Sequence, residues 1–152
     1  MSDIINTISI ASDHGGFSLK QKIIGLLNEK NYQIRDLGCA DENSVDYPDF
    51  GYALAQDITS GNSSQGIIIC GSGIGISIAA NRYSGIRAAL CHSVETAKLA
   101  RQHNDANVLA LGARVISPDV ALACVETFLT TKAEGGRHAM RVEKLSIKGE
   151  KI

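Results

Sequence analysis

No two cysteines in the chain have the C-x-x-C spacing of a zinc or redox motif. The four present, Cys39, Cys70, Cys91 and Cys124, stand far apart among 152 residues. A metal centre and a disulfide framework are therefore not expected, and a reduced, cytoplasmic setting is. Excess charge of one sign is missing as well. Fifteen Lys and Arg against sixteen Asp and Glu give a net charge of −1, so no overall field gathers nucleic acid or an anionic membrane. An anionic ligand must be held by local groups. No apolar run approaches the roughly 20 residues of a membrane span. Met1-Ser2-Asp3 opens without the basic and apolar stretches of a secretory leader. The Lys-Ser/Thr pair of a phosphate-binding P-loop is absent. So is the G-x-G-x-x-G spacing of a dinucleotide site, and roughly 20 residues beyond the glycines, where such a site wants an acid, stands Cys91-His92-Ser93. NAD and ATP are not expected. The chain holds neither an internal repeat nor a low-complexity tract.

What it does have is Gly66-Ile67-Ile68-Ile69-Cys70-Gly71-Ser72-Gly73-Ile74-Gly75. Residues 67–70 read as a buried strand that runs into a glycine-rich turn, and residues 76–83 as the helix the turn opens. Such a turn aims several backbone N–H groups at one point, and the helix start adds partial positive charge. A phosphate or a developing oxyanion is stabilised there. Cys70 ends the strand, where a helix start stabilises a thiolate. Proton transfer and nucleophilic attack both fit, and so does plain packing, because cysteine is among the most buried residue types.

The remaining pattern alternates strand and helix. Residues 7–12 read as the first strand, closed by Asp13-His14-Gly15-Gly16. Residues 17–30 carry Leu19, Ile23, Leu26 and Leu27 at helical spacing. Residues 32–36 form a second strand, followed by a long polar connection over 37–49 and a helix over 50–58. Residues 85–91 and 107–111 give strands four and five. Ser93 caps a helix to about His103. Ser117-Pro118-Asp119 starts another, with Val120, Cys124, Val125, Phe128 and Leu129 as its apolar face. Gly135-Gly136 breaks the chain before a basic C-terminal helical arm, 137–152. The class is α/β: a single doubly wound, flavodoxin-like domain with a five-stranded parallel sheet. Its expected strand order is 2-1-3-4-5.

In that order strands one and three are neighbours, and a ligand crevice opens between their carboxyl ends. Asp13-His14 and Cys70-Gly71 meet there, which favours chemistry over packing. His103 sits at a helix end, where solvation alone explains a histidine. His92 follows strand four and could line the crevice, but capping by Ser93 explains this turn without it, and His138 has no evident role. Arg137 and Arg141, four apart, stack two guanidinium groups on one helix face, an arrangement suited to phosphate and equally to a solvated surface. Arg114, after strand five, is a third cation for the same task. An arm beyond the last core helix suggests packing against another subunit.

Five blocks in order carry a family resemblance: Asp13-His14-Gly15-Gly16-Phe17; Asp46-Tyr47-Pro48; Cys70 to Gly75 with Ala79-Ala80-Asn81; Arg101 to Asp105; and Gly135-Gly136-Arg137-His138 with Arg141-Val142. Together they resemble type B ribose-5-phosphate isomerase, a family shared with the galactose-6-phosphate isomerase subunits. The resemblance implies an aldose–ketose isomerase of the pentose phosphate pathway that uses no metal and no organic cofactor. It implies Cys70 as the thiolate base, His103 with Asp13 opening the sugar ring, and Ser72 hydrogen-bonded to the thiol. The amides of Gly71, Gly73, Ile74 and Gly75 would hold the enediolate. His14, Arg114, Arg137 and Arg141 would hold the phosphate, and Tyr47 and Asn104 the sugar. A homodimer or homotetramer is implied, with sites shared between subunits. Galactose 6-phosphate and allose 6-phosphate are alternative substrates. A cysteine hydrolase and a non-catalytic sugar-phosphate-binding protein are the readings from other classes.

Overall fold

A computed structural model describes residues 6–149. Strands β1 (Thr7–Ser12), β2 (Gln33–Asp36), β3 (Gln65–Cys70), β4 (Ala88–Leu90) and β5 (Val108–Gly112) make one sheet, all pairs parallel. Helices α1 (Phe17–Glu29), α2 (Tyr47–Thr59), α3 (Ile74–Asn81), α4 (Val94–Asn104) and α5 (Pro118–Thr130) connect the strands or follow the last of them. Helix α6 (Arg137–Gly149) extends beyond α5 as the expected arm.

The strand order is β2-β1-β3-β5-β4, not 2-1-3-4-5. The physical reason lies in burial. Every residue of Val108–Gly112 is buried, as a central strand of a covered parallel sheet must be. Ala88–Leu90 is three residues long and only half buried, which suits an edge. The neighbourhood of β1 and β3 is unaffected by the exchange.

Side chains alternate along β3 and divide the core. Ile67 and Ile69 join Ile8, Ile10, Leu109 and Leu111 under α1, α4 and α5. Ile68 and Cys70 point the other way, joining Ala11, Val108 and Ala110 under α2 and α3. In α5, Ala121, Cys124, Val125 and Phe128 are fully buried, whereas the expected core residue Val120 is 37% exposed. A polar knot lies at the amino end of the sheet. Asp57, on α2, accepts hydrogen bonds from Arg35 Nε and Nη2, at 2.8 and 2.9 Å, and from Ser9 Oγ and Asn62 Nδ2. These donors, the Arg35 guanidinium foremost, hold its carboxyl at about 2 against burial.

Several boundaries move. Helix α2 begins at Tyr47, not at 50, because Asp46 takes extended backbone and Pro48 fits the first turn. Helix α3 runs from 74 to 81 instead of 76 to 83. The strand expected over 85–91 keeps only Ala88–Leu90, since the Arg87 N–H donates to the Asn107 side chain and Asn81 brackets the Ala88 backbone.

Candidate active site

The end of β3 and the start of α3 form the turn read from the sequence. Gly73 has φ +79°, a left-handed conformation that lets the chain leave the strand and enter the helix at once. A helix start leaves its first-turn amides without partners inside the helix. Here the Gly73 N–H donates to Cys70 Sγ at 3.1 Å. The Ile74 N–H donates to Ser72 Oγ at 3.1 Å. Cys70 is 4% exposed, so its sulfur lies under the loop rather than out in solvent. The expected Ser72–Cys70 hydrogen bond is not formed; each side chain accepts a loop amide instead. Of the amides expected to receive an oxyanion, Gly73 and Ile74 already have partners within the loop.

Three other segments close on this turn. The Ala113 and Arg114 N–H groups donate to Cys70 and Gly71 carbonyls at 2.9 Å, fastening the end of β5 to the end of β3. Arg114 then lies across the crevice: a Cβ placed on Gly71 would stand 3.3 Å from its Nη1, and one placed on Gly15 would stand 3.4 Å from its Nη2. From β1, Asp13 accepts the Gly16 N–H at 3.1 Å and fixes a single 3-10 turn over His14–Gly16. His14 Nδ1 accepts the Val45 N–H at 3.1 Å, pinning the long polar connection and leaving Nε2 to carry the proton. From α2, the Tyr47 ring packs directly on Gly75, where any side chain would collide with it. Asp13, His14, Tyr47, Cys70 to Gly75 and Arg114 are thus gathered at one end of the sheet.

The other expected residues are gathered elsewhere. Helix α4 starts beyond β4, with Ser93 and Thr96 in a reciprocal cap, and runs back along the sheet. His103 and Asn104 close it next to the start of β5. The paired register makes the separation explicit: Cys70 lies beside Gly112 at one end of β5, while Val108 at the other end lies beside Gly66. Four residue steps amount to about 13 Å along the strand direction alone. Arg101 fixes the far cluster, donating to the Thr131, Ala106 and Asp105 oxygens at 2.7 to 3.1 Å. Arg141 lines one hollow with His103, Asn104 and His138. Arg137 follows the Gly135-Gly136 turn beside His138. A neighbouring cavity of ≈ 230 Å³ is lined by His103 and His138, not by Cys70.

His138, without an evident role in the sequence, is part of this cluster. Its ring stacks on His103 with centroids 4.3 Å apart. Burial, and then the His103 imidazole and Arg137, push it below its ordinary value of 6.5. Glu134, between the two histidines, was missed as well. Its proximity to His138, four residues on, was the available signal.

The sequence pattern of the ribose/galactose isomerase family matches residues 8–145. Ribose-5-phosphate isomerase B of Escherichia coli is 43% identical over 139 residues, which is 91% of this chain and 93% of that enzyme. The structure of ribose-5-phosphate isomerase B from Clostridium thermocellum superposes with a TM-score of 0.94 at 50% identity, covering 95% of this chain and 98% of that one. The Mycoplasma genitalium enzyme, solved with bound ribulose-5-phosphate, gives 0.91 at 40% identity over 96% of this chain and 97% of its own.

Proposed function

The chain belongs to the ribose/galactose isomerase family, and from that premise we propose that it interconverts ribose 5-phosphate and ribulose 5-phosphate, a step of the pentose phosphate pathway. The observation that carries the reading is the Cys70 sulfur held beneath the Gly73 amide in the crevice that Arg114 and His14 also enter. A proton on carbon next to a carbonyl needs a base held at that carbon and donors for the charge on oxygen. Cys70, as thiolate, would take the C2 proton of the open-chain aldose and return it to C1. A proton leaves the C2 hydroxyl and another arrives at O1, so the product is the isomeric ketose. The amides at the head of α3 not engaged within the loop would carry the enediolate charge.

His103, with Asp13, would open the ring by moving a proton from the anomeric hydroxyl to the ring oxygen. His14, Arg114, Arg137 and Arg141 would grip the phosphate, whose remote binding energy positions the reacting carbons. Tyr47 and Asn104 would meet the sugar hydroxyls. One copy cannot bring these groups together, since His103, Asn104, Arg137 and Arg141 stand at the opposite end of the sheet from Cys70. The complete centre therefore belongs to a homodimer, or to a dimer within a homotetramer, in which each copy supplies one half. Exposed apolar side chains support an interface on these elements: Ile74 and Ile78 on α3, Met140 and Leu145 on α6. The four cysteines are free and buried, and no helix among the described residues is long and apolar enough to cross a membrane.

A coupled assay comparing ribose 5-phosphate with allose and galactose 6-phosphates tests the reading. Turnover on ribose 5-phosphate, with solvent deuterium entering the product, is expected. Preference for a hexose phosphate would reassign the substrate. Binding without turnover would leave a sugar-phosphate-binding protein, and a trapped acyl-enzyme a hydrolase.

A further inference from the structure

The groups given ring-opening and phosphate-binding roles above sit on two helices, His103 and Asn104 in the last turn of α4, Arg137 and Arg141 on α6. Arg101 ties together the segments that carry them. Its side chain is 11% exposed. Nη1 donates to Asp105 Oδ1 at 2.8 Å and to the Ala106 carbonyl at 2.7 Å, and Nε donates to the Thr131 carbonyl at 3.1 Å. The guanidinium also stands over the Phe128 ring of α5, 5.6 Å from its centre. The first two bonds fix the exit from α4. Asp105 takes φ +44° and ψ +45° directly after Asn104, a left-handed conformation that aspartate tolerates better than most side chains. The third bond holds the residue that follows α5, where the connection to α6 starts. Two further contacts run in parallel with it. The Glu134 N–H donates to the Gln102 carbonyl at 3.0 Å, and the His138 ring stacks on His103 with centroids 4.3 Å apart.

We propose that Arg101 is a positioning residue that fixes the spacing between the His103-Asn104 pair and the Arg137-Arg141 pair, and that this spacing selects the length of the sugar phosphate. The inference rests on the isomerase reading and the roles it gives to those four groups. One pair grips the phosphate and the other acts at the ring. A sugar with one more carbon is longer by roughly one C–C bond, about 1.5 Å, and fits only when the two pairs move apart. The planar fork of arginine meets three acceptors at once. A lysine at this position keeps the charge, but its single nitrogen cannot stand at both the Nε and the Nη1 positions. Misplacing reacting groups by about 1 Å costs about a hundredfold in rate, and one extra carbon is discriminated by about 10- to 200-fold. A rigid frame of this kind is therefore sufficient to set the preference.

The test compares turnover of ribose 5-phosphate and allose 6-phosphate by the full chain, unmutated and as Arg101→Lys. Asp57→Asn, which breaks a bond network with Arg35, Ser9 and Asn62, reports the effect of lost stability alone. In Arg101→Lys, kcat/KM for ribose 5-phosphate should fall about tenfold or more, and the preference over allose 6-phosphate should shrink by about tenfold. The preference should stay unchanged in Asp57→Asn. Asp105→Asn keeps a residue tolerant of left-handed backbone and removes the charge that Arg101 holds. It should shift the preference the same way by a smaller factor, and it carries the test if Arg101→Lys does not fold. The clamp is read without activity by hydrogen exchange at the Glu134 amide, which should quicken about tenfold in Arg101→Lys under conditions where the fold is retained. A preference unchanged in the Arg101 and Asp105 variants, or altered equally in Asp57→Asn, overturns the selection role. Unchanged exchange overturns the clamp whatever the activity. An unmutated protein that turns over neither sugar defeats the isomerase reading and the selection role with it, and the exchange result then decides the clamp by itself.

Discussion

Complementation between two inactive variants tests whether the reaction centre is divided between copies. Cys70→Ala lacks the proposed base, and His103→Ala lacks the proposed ring-opening group. Cys70 closes β3 beside Gly112, whereas His103 precedes the opposite end of β5. The separation of about 13 Å along the strands far exceeds the roughly 3 Å at which a catalytic group must reach its proton. On the proposed roles, the two groups of one copy stand too far apart to serve one sugar. In a two-fold dimer each centre takes Cys70 from one copy and His103 from the other. When equal amounts of the variants are unfolded and refolded together, random pairing makes roughly half of the dimers mixed. Each mixed dimer holds one intact centre and one doubly defective centre, so recovery is roughly a quarter of the unmutated activity. The assay is turnover of ring-closed ribose 5-phosphate in the separate and the co-refolded preparations. Activity no greater than the mean of the two variants would refute the divided centre and put both groups in one chain.

Cys70→Ala alone should abolish isomerisation and leave sugar-phosphate affinity in place, measured by calorimetry; undiminished turnover would remove the thiol from the chemistry. Arg137→Gln with Arg141→Gln should raise KM by about tenfold or more, as loss of charge-assisted phosphate contacts does, with kcat much less affected; an unchanged KM would end their role as phosphate ligands. Asp57 carries a pH signature, because its carboxyl titrates at about 2 in the fold instead of 3.8. Its contribution of about 2 kcal/mol is fully present above the unfolded value and is lost as pH falls toward 2. Asp57→Asn should therefore lower the melting temperature at neutral pH by several degrees, and the gap should narrow as pH falls from about 4 toward about 2. A gap independent of pH would show that the charge on Asp57 is not what stabilises the fold.

The half of the site around Cys70 was legible because its signals are local. Glycines at Gly71, Gly73 and Gly75 follow an apolar strand, and Asp13-His14 follows another, so the parallel-sheet rule brings the two strand ends together. The other half was not legible from spacing. Nothing in the sequence of Arg101 to Asp105 says that its helix returns to the far end of the sheet; the arm beyond the last core helix hints at a second subunit, and the resemblance alone implies which residues it would share. The strand order does have a readable cue in the two apolar runs. Val108-Leu109-Ala110-Leu111 is the longer and more fully apolar run and belongs in the interior, while Ala88-Ala89-Leu90 sits in a stretch carrying Arg87 and suits an edge. Ser72 shows a different limit. Its hydroxyl oxygen accepts the Ile74 N–H, a partner that only the path of the turn supplies.

The alternation along β3 carries an evolutionary constraint. Ile67 and Ile69 go to one helical layer, Ile68 and Cys70 to the other, so the thiol's position depends on parity as much as on identity. Adding or deleting a single residue inside this strand would send the sulfur beneath α1 and α5 and put an isoleucine under the glycine-rich turn. Drift in length is therefore closed to this short segment, and change can come there only by substitution.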